Sequence, residues 1–253
     1  MRLKNAVGIA LAALAFAVSG PAASAAGQGG LPDLKVGAIV SGPNIPFFNK
    51  VFGPADLAVV RPQNLYMLKE LGGGLKTVLV AITDLPHAPA ILHQAKSLGA
   101  SVIALNLEAN PQIQVGQDIL GKALNFARAV KKAGFGLVVV PRPTDKGLNL
   151  QPWLNVVDGI IIPTQGAQSK EDYGQIVSAI LTRIKTASPG LKVWAQVSVN
   201  PPNAPDMTAE TILRKIAEIS RFADGVFVVY APKNWEKAKT ILLKLKNLPA
   251  PSE

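Results

Sequence analysis

Eight short apolar runs alternate with longer amphipathic stretches between residues 34 and 248, and this rhythm limits the fold more than any other feature of the chain. The runs are 34–41 (LKVGAIVS), 56–60, 76–83, 101–107, 135–141, 159–163, 192–199 and 225–230. Val and Ile dominate them, and Gly, Pro or Asn bound most of them, which is the pattern of buried strands. Seven are clear, and 56–60 is the weak one. Between them the pattern predicts helices over 63–71, 88–98 and 115–132. A further helix is predicted from an N-cap at Ser169, with Glu171 and Asp172 in its first turn, where acids suit the positive helix end. Two more are predicted from caps at Thr208 and Asn234, the last running to Leu248. Residues 42–54 read as a loop holding Phe47 and Phe48, and Gly72-Gly73-Gly74 as a helix terminator.

Regular strand–helix alternation implies parallel strands joined by right-handed crossovers. The sheet is either a closed (β/α)8 barrel or an open doubly wound sheet. The first strand–helix turn lacks a Gly-rich dinucleotide fingerprint. One parity of the strands turns polar toward its C-terminal end, where barrels carry their sites. The sequence therefore predicts a TIM-like (β/α)8 barrel.

Strand parity picks out the candidate residues, because successive side chains point to opposite faces. In 101–108, Ile103, Leu105 and Leu107 face helices, while Val102, Ala104, Asn106 and Glu108 face inward. In 192–200, Val193, Ala195, Val197 and Val199 face helices, while Trp194, Gln196, Ser198 and Asn200 face inward. Arg142, Gln165 and Tyr230 join the mouth from other strand ends. The predicted lining is mostly neutral amide and hydroxyl, groups that both donate to and accept from sugar hydroxyls. Trp153, Tyr173 and Trp235 could stack on sugar faces, though each taken singly reads first as a packing residue, and Trp194 reads as barrel core. Asp158-Gly159 and Asp224-Gly225 each open a strand, at the barrel's opposite end, where such residues serve stability.

The N-terminus predicts an address. Arg2 and Lys4 precede an apolar stretch over 7–18, and Ala23-Ser24-Ala25 is a small-residue cleavage site. The expected organisation is a signal peptide over 1–25, a flexible leader over 26–33, one barrel domain over 34–248 and a tail over 249–253. The mature protein is expected to be secreted or periplasmic, with no membrane span after cleavage. There are no cysteines, which excludes disulfides, thiolate metal sites and a Cys nucleophile. The two histidines, His87 and His93, lack the spacing of a helix-face metal pair, and no metal or cofactor is predicted. Nucleophile-elbow, Walker and zincin motifs are absent. Losing Arg2 and Lys4 takes the formal charge from +10 to +8. Such a balance favours an anionic polysaccharide or cell envelope. Without a recognisable nucleic-acid motif, nucleic acid is not an expected partner.

Five segments carry a resemblance through their order: IALNLEANP (103–111), FARAVKKAGFGLVVVP (126–141), DGIIIPTQGAQ (158–168), SPGLKVWAQVSVNPP (188–202) and DGVFVVYAP (224–232). In this order the chain resembles secreted bacterial (β/α)8 proteins related to glycoside hydrolases. The resemblance implies an acid/base Glu after the fourth strand and a nucleophilic Glu after the seventh. Counting 56–60 as a strand, Glu108 closes the fourth. The seventh closes at Val199-Asn200 without a carboxylate. An inverting enzyme sets its two carboxyl groups about 6.5–9.5 Å apart, and Asp84, Asp145 and Asp206 are the candidates for the second. The expected function is an exported, glycoside-hydrolase-like barrel with Glu108 as general acid. The alternative is a non-catalytic barrel that binds glycan or envelope. A solute-binding module on an open sheet is a third reading.

Overall fold

The computed structural model describes residues 34–108, 119–141, 143–144, 147–148 and 150–248. They belong to the compact unit Leu31–Glu253. Residues 115–118 of the predicted third helix, together with Arg142 and Asp145, lie outside the described residues.

The strands are β1 (Lys35–Ile39), β2 (Leu57–Val60), β3 (Leu75–Ala81), β4 (Val102–Asn106), β5 (Gly136–Val140), the two-residue pieces β6 (Pro143–Thr144) and β7 (Gly147–Leu148), then β8 (Gly159–Pro163), β9 (Lys192–Ser198) and β10 (Gly225–Val229). β6 and β7 pair only with each other. The other eight close a parallel barrel in the order β1-β2-β3-β4-β5-β8-β9-β10, with β10 returning to β1. Closure fixes the class as a (β/α)8 barrel and excludes the open sheet. Strand β2 is a full member, and all four of its residues are buried. The helices are α1 (Ile45–Val51), α2 (Ala88–Ser97), α3 (Ile119–Lys132), α4 (Tyr173–Ala187), α5 (Ala209–Ile219) and α6 (Trp235–Leu245).

Parallel strands covered on both faces read as continuous apolar runs. The predicted parity holds on β4 and β9. Ile103, Leu105, Val193, Ala195 and Val197 join the core between strands and helices. Val102, Ala104 and Trp194 join a separate cluster inside the barrel, with Val138, Ile161 and Phe227. Trp194 lies in register between Ile161 and Gly225. A Cβ on Gly159 would stand 2.5 Å from the Trp194 ring, and one on Gly225 would also overlap it. A Cβ on Gly37 would stand 2.5 Å from Phe227. Two large rings therefore fill the barrel because the strands facing them carry glycine, a large-against-small fit that closes the interior.

The opposite end is held by three aspartates of one design. Asp158 accepts from the Leu137 amide at 2.7 Å and meets Lys131 of α3 at 2.7 Å. Asp224 accepts from the Val193 amide at 2.8 Å and meets Lys185 of α4 at 3.2 Å. Asp56 accepts from the Val36 and Gly53 amides, each at 2.7 Å, and meets Lys246, next after α6, at 3.0 Å. Each aspartate immediately precedes a strand, caps an amide of the strand before it and takes a lysine from the helical layer. This is the stabilising role expected for Asp158 and Asp224, and Asp56 shares it.

Several local expectations are corrected. The stretch read as a loop contains α1, which buries Ile45, Phe48 and Val51 at helical spacing. Residues Pro62–Lys69 form a 3-10 rather than an α-helix, broken by non-helical Asn64. That helix closes at Glu70, before the glycine triplet. Gly73 instead approaches the Phe52 carbonyl too closely for a side chain, and Gly74, with φ of 78°, turns into β3. Helix α4 starts at Tyr173 with Asp172 at its N-cap position, so Ser169 and Glu171 sit in the preceding turns. The Thr208 cap holds, accepting from the Thr211 amide at 3.1 Å. Helix α6 stops at Leu245, and Asn234 occupies its N-cap position without a side-chain bond.

Candidate functional site at the barrel mouth

Strand β4 ends in a short turn. The Asn106 side-chain oxygen accepts from the Glu108 amide at 2.8 Å, an Asx-type bond between residues two apart. This turn follows the strand directly and leaves Glu108 half-buried at the C-terminal mouth. Gln165 Nε2 donates to Glu108 Oε1 at 2.8 Å, and Gln196 Nε2 donates to Glu108 Oε2 at 3.1 Å. Each carboxylate oxygen thus takes one amide, from two other parts of the barrel wall. Among the described residues, no lysine or arginine pairs with Glu108.

The amides are set by what lies behind them. Residues 164–168, Thr-Gln-Gly-Ala-Gln, follow β8 as tight turns. Thr164 Oγ1 donates to the Gln196 carbonyl at 2.6 Å and lies 3.0 Å from the Tyr173 hydroxyl. A hydroxyl has one proton. Thr164 spends its own on Gln196, so Tyr173 is the donor to Thr164. Burial pushes Tyr173 up to about 12, so the phenol keeps the proton this chain needs. Gln168 is fully buried and pairs with both main-chain groups of Ser198, donating to its carbonyl at 2.9 Å and accepting from its amide at 2.8 Å.

The remaining predicted residues distribute as follows. Asn106, Gln165 and Gln196 converge on Glu108. Ser198 Oγ accepts from the Asn200 amide at 3.1 Å, and the Asn200 side-chain oxygen is buried with no partner among the described residues. Gln165 Oε1 is likewise buried and has no partner among the described residues. Its Nε2 is committed to Glu108, which directs the carbonyl end of that amide elsewhere. Tyr230 does not present a free hydroxyl, for it donates to the Ile39 carbonyl at 2.7 Å. Burial pushes Tyr230 up to about 12, opposed by the Asn44 and Ser41 side chains. Asp84 accepts from the Ala81 amide at 2.8 Å and caps the turn after β3. Asp206 is exposed on the loop after β9. Neither is tied to Glu108.

Two of the aromatics are packing residues, as each reads singly. Trp153 and Tyr173 are fully buried in the outer core and present no face to a ligand. Trp235 is half-buried and meets Phe47 edge-on, with ring centres 5.1 Å apart. Sequence reasoning missed Thr164 and Gln168. Their signal was two polar residues flanking Gln165 in a turn directly after an apolar strand. Among the described residues, no group of three or more His, Asp or Glu side chains is placed to hold a metal ion. No described helix is long and apolar enough to cross a membrane.

No protein-family model and no curated protein sequence matches the chain. Solved structures do match in fold. Concanavalin B aligns with a TM-score of 0.54 at 9% identity, over 85% of this chain and 98% of its own. A xylose isomerase domain containing protein from Salmonella typhimurium aligns with a TM-score of 0.52 at 10% identity, over 86% of this chain and 95% of its own. A mutant of (S)-mandelate dehydrogenase aligns with a TM-score of 0.50 at 10% identity, over 84% and 73%. The names attached to these barrels differ in chemistry, so the likeness speaks for the (β/α)8 architecture and leaves activity to the mouth.

Proposed function

We propose that this protein is an exported carbohydrate-active barrel, a glycoside hydrolase in which Glu108 donates a proton to the leaving oxygen. One observation carries the reading: Glu108 stands at the C-terminal mouth with each carboxylate oxygen on a neutral amide, from Gln165 and Gln196. The mouth is where barrel enzymes keep their reacting groups. Two amides hold the carboxyl in one orientation while leaving lone pairs on both oxygens. Among the described residues, Gln165 Oε1 and Asn200 Oδ1 are acceptors without partners; both are closed to solvent, so a ligand hydroxyl reaches them only where the side chains turn toward it. The resemblance in motif order and the sequence-level export signal supply the class and the compartment. The overall positive charge suits an anionic polysaccharide or cell envelope.

A second reading is a non-catalytic glycan-binding barrel. It is favoured by the placement of Asp84, whose carboxylate caps its own turn, and of Asp206, which is exposed on its loop. The test is release of reducing ends from a panel of neutral and acidic polysaccharides by the mature protein and by Glu108→Gln. Release by the parent and not by the variant supports the hydrolase. Equal release removes Glu108 from the role. Binding without release by either selects the second reading.

A further inference from the structure

The turn after β8 does two jobs with alternate side chains. Gln165 faces the Glu108 carboxylate. Thr164 and Gln168, on either side of it, grip β9. Strand β9 is also the strand that carries Gln196, the other amide on Glu108. The Gln168 amide acts as a short length of extra strand. It satisfies the N–H and the C=O of Ser198 together, two residues beyond Gln196. The Gln168 side chain is fully buried and bonds Ser198 and Met207 rather than Glu108, Gln165 or Gln196, while its main-chain amide donates to the Gln165 carbonyl at 3.3 Å.

We infer that Gln168 is a positioning residue for the Glu108 site. By pairing with both main-chain groups of Ser198, it sets the spacing between the β8 turn and β9, and so keeps Gln165 and Gln196 on opposite oxygens of one carboxylate. The geometry behind this is specific. Two main-chain groups of one residue need a donor and an acceptor a fixed distance apart, which a carboxamide supplies and an aliphatic or simple carboxylate side chain does not. Thr164 locks the same strand at Gln196 itself, through both its hydroxyl and its amide. Without Gln168 the strand stays in the barrel, but its last residues lose their tie to the turn.

The inference rests on Glu108 being the functional carboxylate, but its test needs no substrate. In 15N-labelled mature protein, the side-chain amide protons of Gln165 and Gln196 report directly on their bonds to Glu108. Gln168→Met keeps the volume and removes both Ser198 bonds. The expected result is a folded protein in which the two amide signals move toward the free-glutamine position and their solvent exchange rises about tenfold, as for the loss of one hydrogen bond. Gln168→Glu gives the conservative rescue. At acid pH its neutral carboxyl carries a donor and an acceptor, as the amide does, and the signals return to the parent's positions at the same pH. On ionisation the donor is lost and they depart again. A residue that only stabilised the fold would lower the melting temperature without moving these signals. Parent-like signals in folded Gln168→Met overturn the inference. If that variant does not fold, Gln168→Glu that tracks the parent at every pH overturns it instead. Failure of the Glu108 reading would appear separately, as no glycan release or binding by the parent.

Discussion

Gln165 and Glu108 stand 57 positions apart in the chain, yet the Gln165 amide meets the Glu108 carboxylate at 2.8 Å. The barrel brings them together: Glu108 follows β4, Gln165 follows β8, and only β5 intervenes in the closed order. Gln196, one strand further on, completes the arrangement at 3.1 Å. The carboxylate is thereby tied to residues carried by β8 and β9 although its own chain position follows β4.

If Glu108 is the proton donor, its amide isostere keeps the shape and loses the chemistry. Glu108→Gln is expected to lower reducing-end release by about 10²–10⁴-fold, the usual contribution of general acid catalysis. The variant turns one N–H2 toward a glutamine that itself donates, so its melting temperature should fall by only a few degrees, about the value of one hydrogen bond. A large loss of stability alongside the loss of rate would make the residue structural.

The aspartate staples differ in burial, and their removal should differ in proportion. Asp56 is about 1% exposed and accepts from two main-chain amides as well as Lys246. Asp56→Ala leaves two main-chain amides and the half-buried Lys246 ammonium without their partner, and should cost about 3–5 kcal/mol. The Asp158 side chain is 52% exposed. Asp158→Ala should cost about 1 kcal/mol. Urea denaturation of the two variants measures the contrast, and equal losses would contradict it.

Barrel filling makes Gly37 and Phe227 a coupled pair. Gly37→Ala places a methyl 2.5 Å from the Phe227 ring, and overpacking of this kind costs about 1–3 kcal/mol. Phe227→Leu opens the space the methyl needs. The double variant should be more stable than the sum of the two single losses predicts, with a coupling of about 0.5–3 kcal/mol. Additive losses in a double-mutant cycle would refute the contact.

Tyr173 gives the protein an alkaline limit. Its folded value is raised from 10.0 to about 12 by burial, so the unfolded chain loses this proton first. The stability that depends on the neutral phenol is complete below pH 10.0 and declines as pH rises toward 12. For so buried a group the full loss is about 2–3 kcal/mol. Tyr173→Phe should lower stability at neutral pH by about 1 kcal/mol, for the bond to Thr164, and lessen the alkaline decline, to which Tyr230, also raised to about 12, contributes its own share. Melting temperatures of parent and variant across this range, with phenolate absorbance followed in parallel, check both parts.

Strand parity made much of this site legible. Alternation along 101–108 and 192–200 was enough to turn Asn106, Glu108, Trp194 and Gln196 inward, because a strand buried on both faces leaves each residue only two directions. The Asp158 and Asp224 staples were legible for the same reason, since each precedes a strand. Asp56 was hidden because its strand is short and no glycine follows it. Helix α1 was hidden by the prolines at 43 and 46, which punctuate the sequence as a loop does while Ile45, Phe48 and Val51 keep helical spacing. Gln168 could not be assigned from local pattern at all. Its partner is the main chain of Ser198, 30 positions away, and that pairing exists only once β8 and β9 are in register. Tyr173 and Trp153 were ambiguous for a similar reason: an aromatic at a helix start or in a loop can pack inward or face a ligand, and only the packed outer layer decides.

The account turns on a glycan meeting Glu108 at the mouth, and the most direct measurement is side-chain amide NMR of the mature protein during titration with soluble oligosaccharides from neutral and acidic polysaccharides. The account predicts that a bound oligosaccharide shifts the Gln165 and Gln196 amide signals first, and that Glu108→Gln weakens or abolishes those shifts. Oligosaccharide binding that leaves both signals unmoved, or a full panel that produces no binding, would contradict it.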